Sequence, residues 1–203
     1  MDRKSGIVIQ ICIALAGIVL FLPGLGGVRL FDWDEINFAE SAREMLITGD
    51  LLNVQINFES FWEKPPLFIW MQALCMKVFG VGEMAARLPN AIAGIVTLLV
   101  LFNIGRRCAG NRFGLLWVLM YAASFFPFFY FKSGIIDPWF NLFIFLGIYF
   151  FSRYADPQAR GRMMQNAALS ALFTGLGILT KGPVAFLIFI LTFGVWLICR
   201  RLR

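Results

Sequence analysis

The chain has 203 residues, 60% of them hydrophobic and only 15% charged, with 23 Phe, a mean hydropathy of +0.76 and a formal net charge of +6. These values exclude an ordinary soluble domain, and the absence of a basic stretch interleaved with exposed aromatics excludes a nucleic-acid-binding module. What remains is an all-α, polytopic membrane protein built from apolar runs of about 18 residues, each able to cross a hydrocarbon core of about 30 Å.

Six spans are expected, near residues 6–23, 86–105, 113–131, 138–152, 166–180 and 183–199. The first follows Met1 to Lys4 and stays apolar through Leu22, past any signal-peptide cleavage site near Ala14-Leu15-Ala16, so it reads as a span. Residues 30–82 form an outer loop that holds most of the acidic side chains, in a single transmembrane domain covering 1–203. Within it, Asp32 or Asp34 caps a helix running to Thr48, with Ile36, Ala39, Ala42, Met45 and Leu46 on one face and Gly49 as the stop. A polar stretch, Asp50 to Ser60, leads to Pro65 and Pro66, which suit the first turn of a second helix ending at Gly80. Leu67 to Phe79 is as apolar as a span but too short to cross, so both helices are expected to be interfacial or re-entrant.

After the second span the chain turns at Gly105 to Arg112 and returns to the outer face at Phe131 to Pro138. The Phe-rich stretch 125–131 reads as a packing or lipid-facing surface, residues 153–162 as an inner loop, and Thr180-Lys181-Gly182-Pro183 as the last outer turn. Six alternating spans place both termini on one side, with eleven cations against two acids there and seven cations against ten acids on the other. The cation-rich side is therefore cytoplasmic and the acidic loop faces outward. No internal repeat or soluble domain is visible. Cys12, Cys75, Cys108 and Cys199 have no CxxC spacing, so neither a disulfide framework nor a zinc knuckle is expected.

Two clusters carry the candidate chemistry: Phe31-Asp32-Trp33-Asp34-Glu35 and Phe61-Trp62-Glu63-Lys64-Pro65-Pro66. Carboxylates and an ammonium beside a bilayer are costly, and helix capping accounts for one acid rather than three. Pro65 favours an extended Lys64, whose ammonium suits a phosphate at headgroup depth. Asp137 before Pro138 reads equally as a helix cap or as a second acid on the face of Asp34, while Lys132 and Lys181 read as membrane anchors. Gly175 to Lys181 is not a P-loop, because Thr180 and Gly182 occupy the motif's Gly and Ser/Thr positions. The chain has no His, which removes His-based triads and His-ligated metal sites.

The ordered set Asp34-Glu35, Ala39-Glu40, Arg43, Thr48-Gly49-Asp50, Phe61 to Leu67, Phe79-Gly80, Arg87-Leu88-Pro89 and Ile136-Asp137-Pro138 resembles the polyprenyl-phosphate-sugar-dependent membrane glycosyltransferases of the C-type fold. The likeness is to the branch of protein O-mannosyltransferases and lipid A aminoarabinose transferases. It implies an inverting transfer, on the outer face of the cytoplasmic membrane, from a polyprenyl-phosphate-sugar donor to a lipid or protein acceptor. By resemblance Asp34 is the general base, Lys64 binds the donor phosphate, Asp137 is a second acid near the donor, and Glu35 orients the acceptor or Asp34. Glu63 matches a position contributing to a divalent metal site that a later His completes in the aminoarabinose transferases. Family members are longer, with further spans and an outer soluble domain, so the chain is expected to be a fragment, the amino-terminal half or so, or a truncated relative. Two other readings stand beside this one: a non-catalytic polyprenyl-phosphate-binding or lipid-translocating protein, and a solute transporter, for which charges near the midplane of several spans are missing.

Overall fold

A computed structural model describes residues 3–31, 33–156 and 161–201. Asp2, Asp32, Arg160 and Arg203, which entered the charge and capping arguments, lie outside the described residues. Eight helices follow in order: α1 (Arg3–Phe21), α2 (Asp34–Thr48), α3 (Leu67–Phe79), α4 (Glu83–Ala122), α5 (Phe125–Phe131), α6 (Asp137–Ala155), α7 (Met163–Lys181) and α8 (Val184–Arg201). Three of them, α4, α7 and α8, are long and apolar enough to cross a membrane. The apolar part of α1, Ser5–Phe21, is shorter than that standard, and α6 carries Asp137 in its first turn and Arg153 in its last.

The expected second and third spans lie in α4, which breaks at Ala109 (φ −147°) and Gly110 (φ 87°). The chain reverses there. A Cβ added at Gly105 would lie 2.9 Å from the Gly114 Cα, and one added at Gly114 would lie 2.8 Å from the Phe102 carbonyl, so only paired glycines let the two arms come this close. The first arm runs antiparallel to α1, with Gly6 against Arg106, Gly17 against Ile95 and Gly94 against Phe21. Phe21, Leu98, Phe102 and Phe131 are buried at this seam. α6 and α7 pair antiparallel in the same way: Ser170 Oγ donates to the Gly147 carbonyl at 2.8 Å. The basic turn at Arg106 and Arg107 thus lies at one end of the bundle, and the Phe131 to Pro138 turn at the other.

The third span, expected to run unbroken to residue 131, instead stops at Ala122 and resumes after Ser124 as the short α5. Phe125 and Phe126 are exposed while Phe131 turns into the α1/α4 core. The polar stretch 50–60 is not irregular throughout: Gln55–Ile56 (β1) and Glu59–Ser60 (β2) form a two-residue antiparallel hairpin. Its turn residues, Asn57 (φ 55°) and Phe58 (φ 60°), both have positive φ, the backbone that matches strand twist in two-residue hairpins. Glu44, buried in α2, accepts the Phe58 N–H at 2.9 Å and pins the hairpin to the helix.

Gly49 (φ 72°) and Gly80 (φ 87°) end α2 and α3 where their sequence positions indicate. Pro65 and Pro66 precede α3 rather than opening its first turn. Ile36, expected on the buried face of α2, is 42% exposed; Phe38, Ala39, Ala42 and Met45 make that face and pack on Phe68, Ile69, Ala73 and Met76 of α3.

One polar contact joins these parts. Arg87, in the second turn of α4, uses all five of its N–H groups: Nε and Nη2 bond the two Glu35 oxygens at 2.8 and 2.9 Å, Nη1 bonds the carbonyls of Leu25 and Val28, and Nη2 also bonds that of Arg29. Glu35 fills its remaining sites with the N–H groups of Phe31 and Gly134. Both side chains are buried, at 3% and 1% exposure. Removing one member of such a pair leaves an uncompensated buried charge. Arg87→Ala is therefore expected to lower stability by about 3–5 kcal/mol, read from unfolding of the detergent-solubilised protein, while Arg43→Ala leaves the midpoint close to wild type. Equal small shifts for both would contradict the assignment.

Candidate active site

Asp34 is the first residue of α2, preceded by Trp33 in a left-handed conformation (φ 72°, ψ −99°) without a side-chain cap. Such backbone is costly for a side chain as large as Trp and is tolerated where its surroundings enforce it. Asp34 is half-buried, and its carboxylate accepts no hydrogen bond from a described residue. It is thus not spent on capping α2, nor on the pair that consumes its neighbour.

Glu35 is consumed. Its four contacts, two to Arg87 and two to backbone N–H groups, occupy both carboxylate oxygens. It can act on Asp34 only by fixing the start of α2.

Lys64 comes to the same face of α2. Its Nζ lies 5.8 Å from the centre of the Phe38 ring, and Phe38 stands one helical turn beyond Asp34. Phe38 packs edge-on against Phe68 (5.8 Å, 84°), and both rings are buried, so the ammonium rests on a rigid aromatic floor. Lys64 makes no ion pair among the described residues. Among the described residues the Lys64 ammonium has no counter-charge and the Asp34 carboxylate no donor, so the first can take an anion and the second a proton.

Asp137 opens α6 and is held by Lys181, the last residue of α7, at 2.6 Å. Lys181 also lies 5.3 Å from the Phe140 ring. The next residue, Gly182 (φ 79°), faces Pro65: a Cβ built on it would stand 3.8 Å from the proline Cγ. The turn carrying Lys181 therefore abuts the loop carrying Lys64. Reading Lys181 as a membrane anchor missed this pairing, and the nearest sequence signal was its place before Gly182-Pro183 in an outer turn. Arg87 is a functional residue that its motif alone does not reveal; an arginine at the end of an apolar helix is the sequence signal for a buried partner.

Glu63 is exposed. Among the described residues no three His, Cys, Asp or Glu side chains gather to hold a metal ion. Among the described residues, Glu63 does not by itself make a metal site. Glu40 and Arg43 form an ion pair on the outer surface of α2, and the Arg43 hydrogen bond holds the Glu40 carboxyl below its ordinary range. A largely apolar groove of about 440 Å³ opens beside Pro138 between both arms of α4, α5 and α6, with Thr97, Tyr121, Tyr130 and Asn141 as its polar points.

Comparison with known proteins converges on one group. Residues 63–203 match the family described as dolichyl-phosphate-mannose-protein mannosyltransferase. An undecaprenyl phosphate-alpha-4-amino-4-deoxy-L-arabinose arabinosyl transferase of Edwardsiella ictaluri is 29% identical over 191 residues, covering 93% of this chain and 34% of that protein. The corresponding protein of Shewanella sediminis is 27% identical over 196 residues, 95% of this chain and 36% of its own. Crystal structures of ArnT from Cupriavidus metallidurans superpose with TM-scores of 0.86 in the apo state (25% identity) and 0.83 bound to undecaprenyl phosphate (26% identity), each over 98% of this chain and 37% of the other. The chain spans about a third of the length of the curated relatives it matches. With the family match extending over more than half of its residues, the chain belongs to the dolichyl-phosphate-mannose-protein mannosyltransferase family.

Proposed function

We propose that the chain is the amino-terminal part of a glycosyltransferase that moves a sugar from a polyprenyl phosphate to an acceptor hydroxyl or phosphate, of lipid or protein, on the outer face of the cytoplasmic membrane. What supports this is that Asp34, which accepts no hydrogen bond from a described residue, lies one turn of α2 from Phe38, against whose ring stands Lys64, a cation without an ion pair among the described residues, in a chain whose fold is that of a protein crystallised with undecaprenyl phosphate.

The chemistry follows from these groups. The acceptor oxygen attacks the sugar's anomeric carbon from the face opposite the phosphate, and Asp34 takes its proton as the new C–O bond forms. The bond from that carbon to the donor phosphate oxygen breaks, its electron pair leaves with the phosphate, and the configuration inverts. Lys64 offsets the charge that develops on the departing phosphate. Asp137 holds the Lys181 ammonium at the same seam, and the apolar groove beside Pro138 offers a path of the kind a prenyl chain needs. Glu35 serves as a positioning residue through Arg87.

The membrane arrangement is part of the same reading. Six spans place both termini in the cytoplasm, with residues 30–82 outside and α2 and α3 at the interface, in one transmembrane domain over 1–203. The separation of the Arg106-Arg107 turn from the Asp137-Lys181 end supports it, because cations cluster at the former.

In the full-length protein, Asp34→Asn is expected to reduce transfer by about 10²-fold or more while undecaprenyl phosphate still binds. Unchanged transfer would remove Asp34 as the base. Lys64→Ala is expected to weaken donor binding about tenfold with acceptor preference kept; an unaltered donor affinity would end its phosphate role. For topology, a membrane-impermeant maleimide applied to intact cells should label Ser60→Cys, with Cys108 reacting only after permeabilisation. The reverse order of labelling would invert the orientation.

A further inference from the structure

The turn between α5 and α6, residues 132–136, is irregular backbone, yet Ser133, Gly134 and Ile136 are buried. Buried peptide groups need partners, and irregular chain at membrane depth persists only where other groups supply them. Here they come from side chains. Asn90 Nδ2 donates to the Ser133 carbonyl at 2.6 Å and to the Ile135 carbonyl at 2.7 Å. Gln72 Nε2 reaches the Gly134 carbonyl at 3.5 Å and bonds the Ala86 carbonyl at 2.9 Å, in the α4 turn that Pro89 loosens. Glu35 accepts the Gly134 N–H, and Trp139 Nε1 donates to the Pro89 carbonyl at 3.1 Å.

Asn90 and Gln72 are both fully buried, and the oxygen of each amide has no hydrogen-bond partner among the described residues. A buried amide satisfied on one end only is a poor packing element, and an apolar side chain of that shape would fill the space at less desolvation cost. What the amides accomplish is specific to the carbonyls they meet. Asp137 follows this turn directly and opens α6.

We infer that Asn90 is a positioning residue: its amide, seconded by Gln72, fixes the Ser133–Ile136 turn and through it sets the Asp137–Lys181 pair against the loop that carries Lys64. The inference rests on the donor-binding role proposed above for that seam. Gly134 leaves the clamp no slack, since a Cβ there would stand 3.2 Å from the Ala86 carbonyl oxygen, Gln72 Nε2 and Glu35 Cγ. A turn gripped from three sides moves as a unit, and Asp137 moves with it.

The test uses the full chain in nanodiscs with undecaprenyl phosphate as the probe, so that binding is read without turnover. Asn90→Leu, close in volume and without donors, is expected to weaken binding about tenfold. In a Lys181→Ala background it should add less than about twofold, because its effect passes through that pair. Losses that multiply in the double variant, or an Asn90→Leu affinity equal to wild type, would overturn the inference. Asn90→Ser, which keeps one donor, gives the same reading if the leucine variant does not fold: an intermediate loss supports the inference and none opposes it. A wild-type protein that binds no undecaprenyl phosphate overturns the functional reading itself, and the inference falls with it.

Discussion

The buried pair of Glu35 and Arg87 is the constraint on which the outer half of this molecule depends. A guanidinium with five N–H groups and a carboxylate with four acceptor sites meet where α1, α2 and α4 converge, and every one of those positions is filled. A buried ion pair is worth little as a source of stability when compared with apolar packing. Its value here is in what it joins. The carbonyls of Leu25, Val28 and Arg29 fix the exit from α1, Glu35 fixes the start of α2, Arg87 belongs to α4, and Gly134 belongs to the turn before α6. Three stretches distant in sequence, residues 25–35, Arg87 and Gly134, are brought to one point, with no slack in the donor and acceptor count.

The pair also divides the labour between two adjacent acids. Consecutive residues on a helix project about 100° apart, so when Glu35 points inward Asp34 must point elsewhere. Asp34 accepts no hydrogen bond from a described residue. Lys64 arrives from the other direction, its loop held by α3 and its ammonium resting on Phe38 and Phe68. In the proposed reaction neither group has to be freed from a partner among the described residues before a substrate arrives, the kind of preorganisation on which electrostatic catalysis relies. Asp137 and Lys181 differ, since they already neutralise each other at 2.6 Å.

Features with a local physical cause were legible in the sequence, and those depending on a distant partner were not. α2 and α3 end at Gly49 and Gly80 because a left-handed stop is a property of the residue itself, and the apolar runs mark the long helices through composition alone. The break at Ser124 was hidden because Phe-rich sequence on both sides looks continuous, and the hairpin at Asn57-Phe58 because its strands are only two residues long. The two clusters around Asp34 and Lys64 stood out as charges beside a bilayer. Which of two adjacent acids would be spent on structure could not be read, because Arg87 is 52 residues away from Glu35, and Lys181 is likewise 44 residues from Asp137. The resemblance carried by the ordered motifs agrees with the family found by comparison, while the metal position at Glu63 finds no companions among the described residues.

The fold shared with ArnT extends over nearly all of this chain but little more than a third of the solved protein, and the logic proposed within it is an anchored loop that offers Asp34 as base and Lys64 as cation to one substrate. A structure of the full-length protein with undecaprenyl phosphate bound tests that logic most directly. The account predicts the phosphate within hydrogen-bonding distance of Lys64 Nζ, with Asp34 facing the same space and the Glu35–Arg87 pair unchanged. A phosphate seated away from Lys64, or a Glu35 released from Arg87 to meet the ligand, would contradict it.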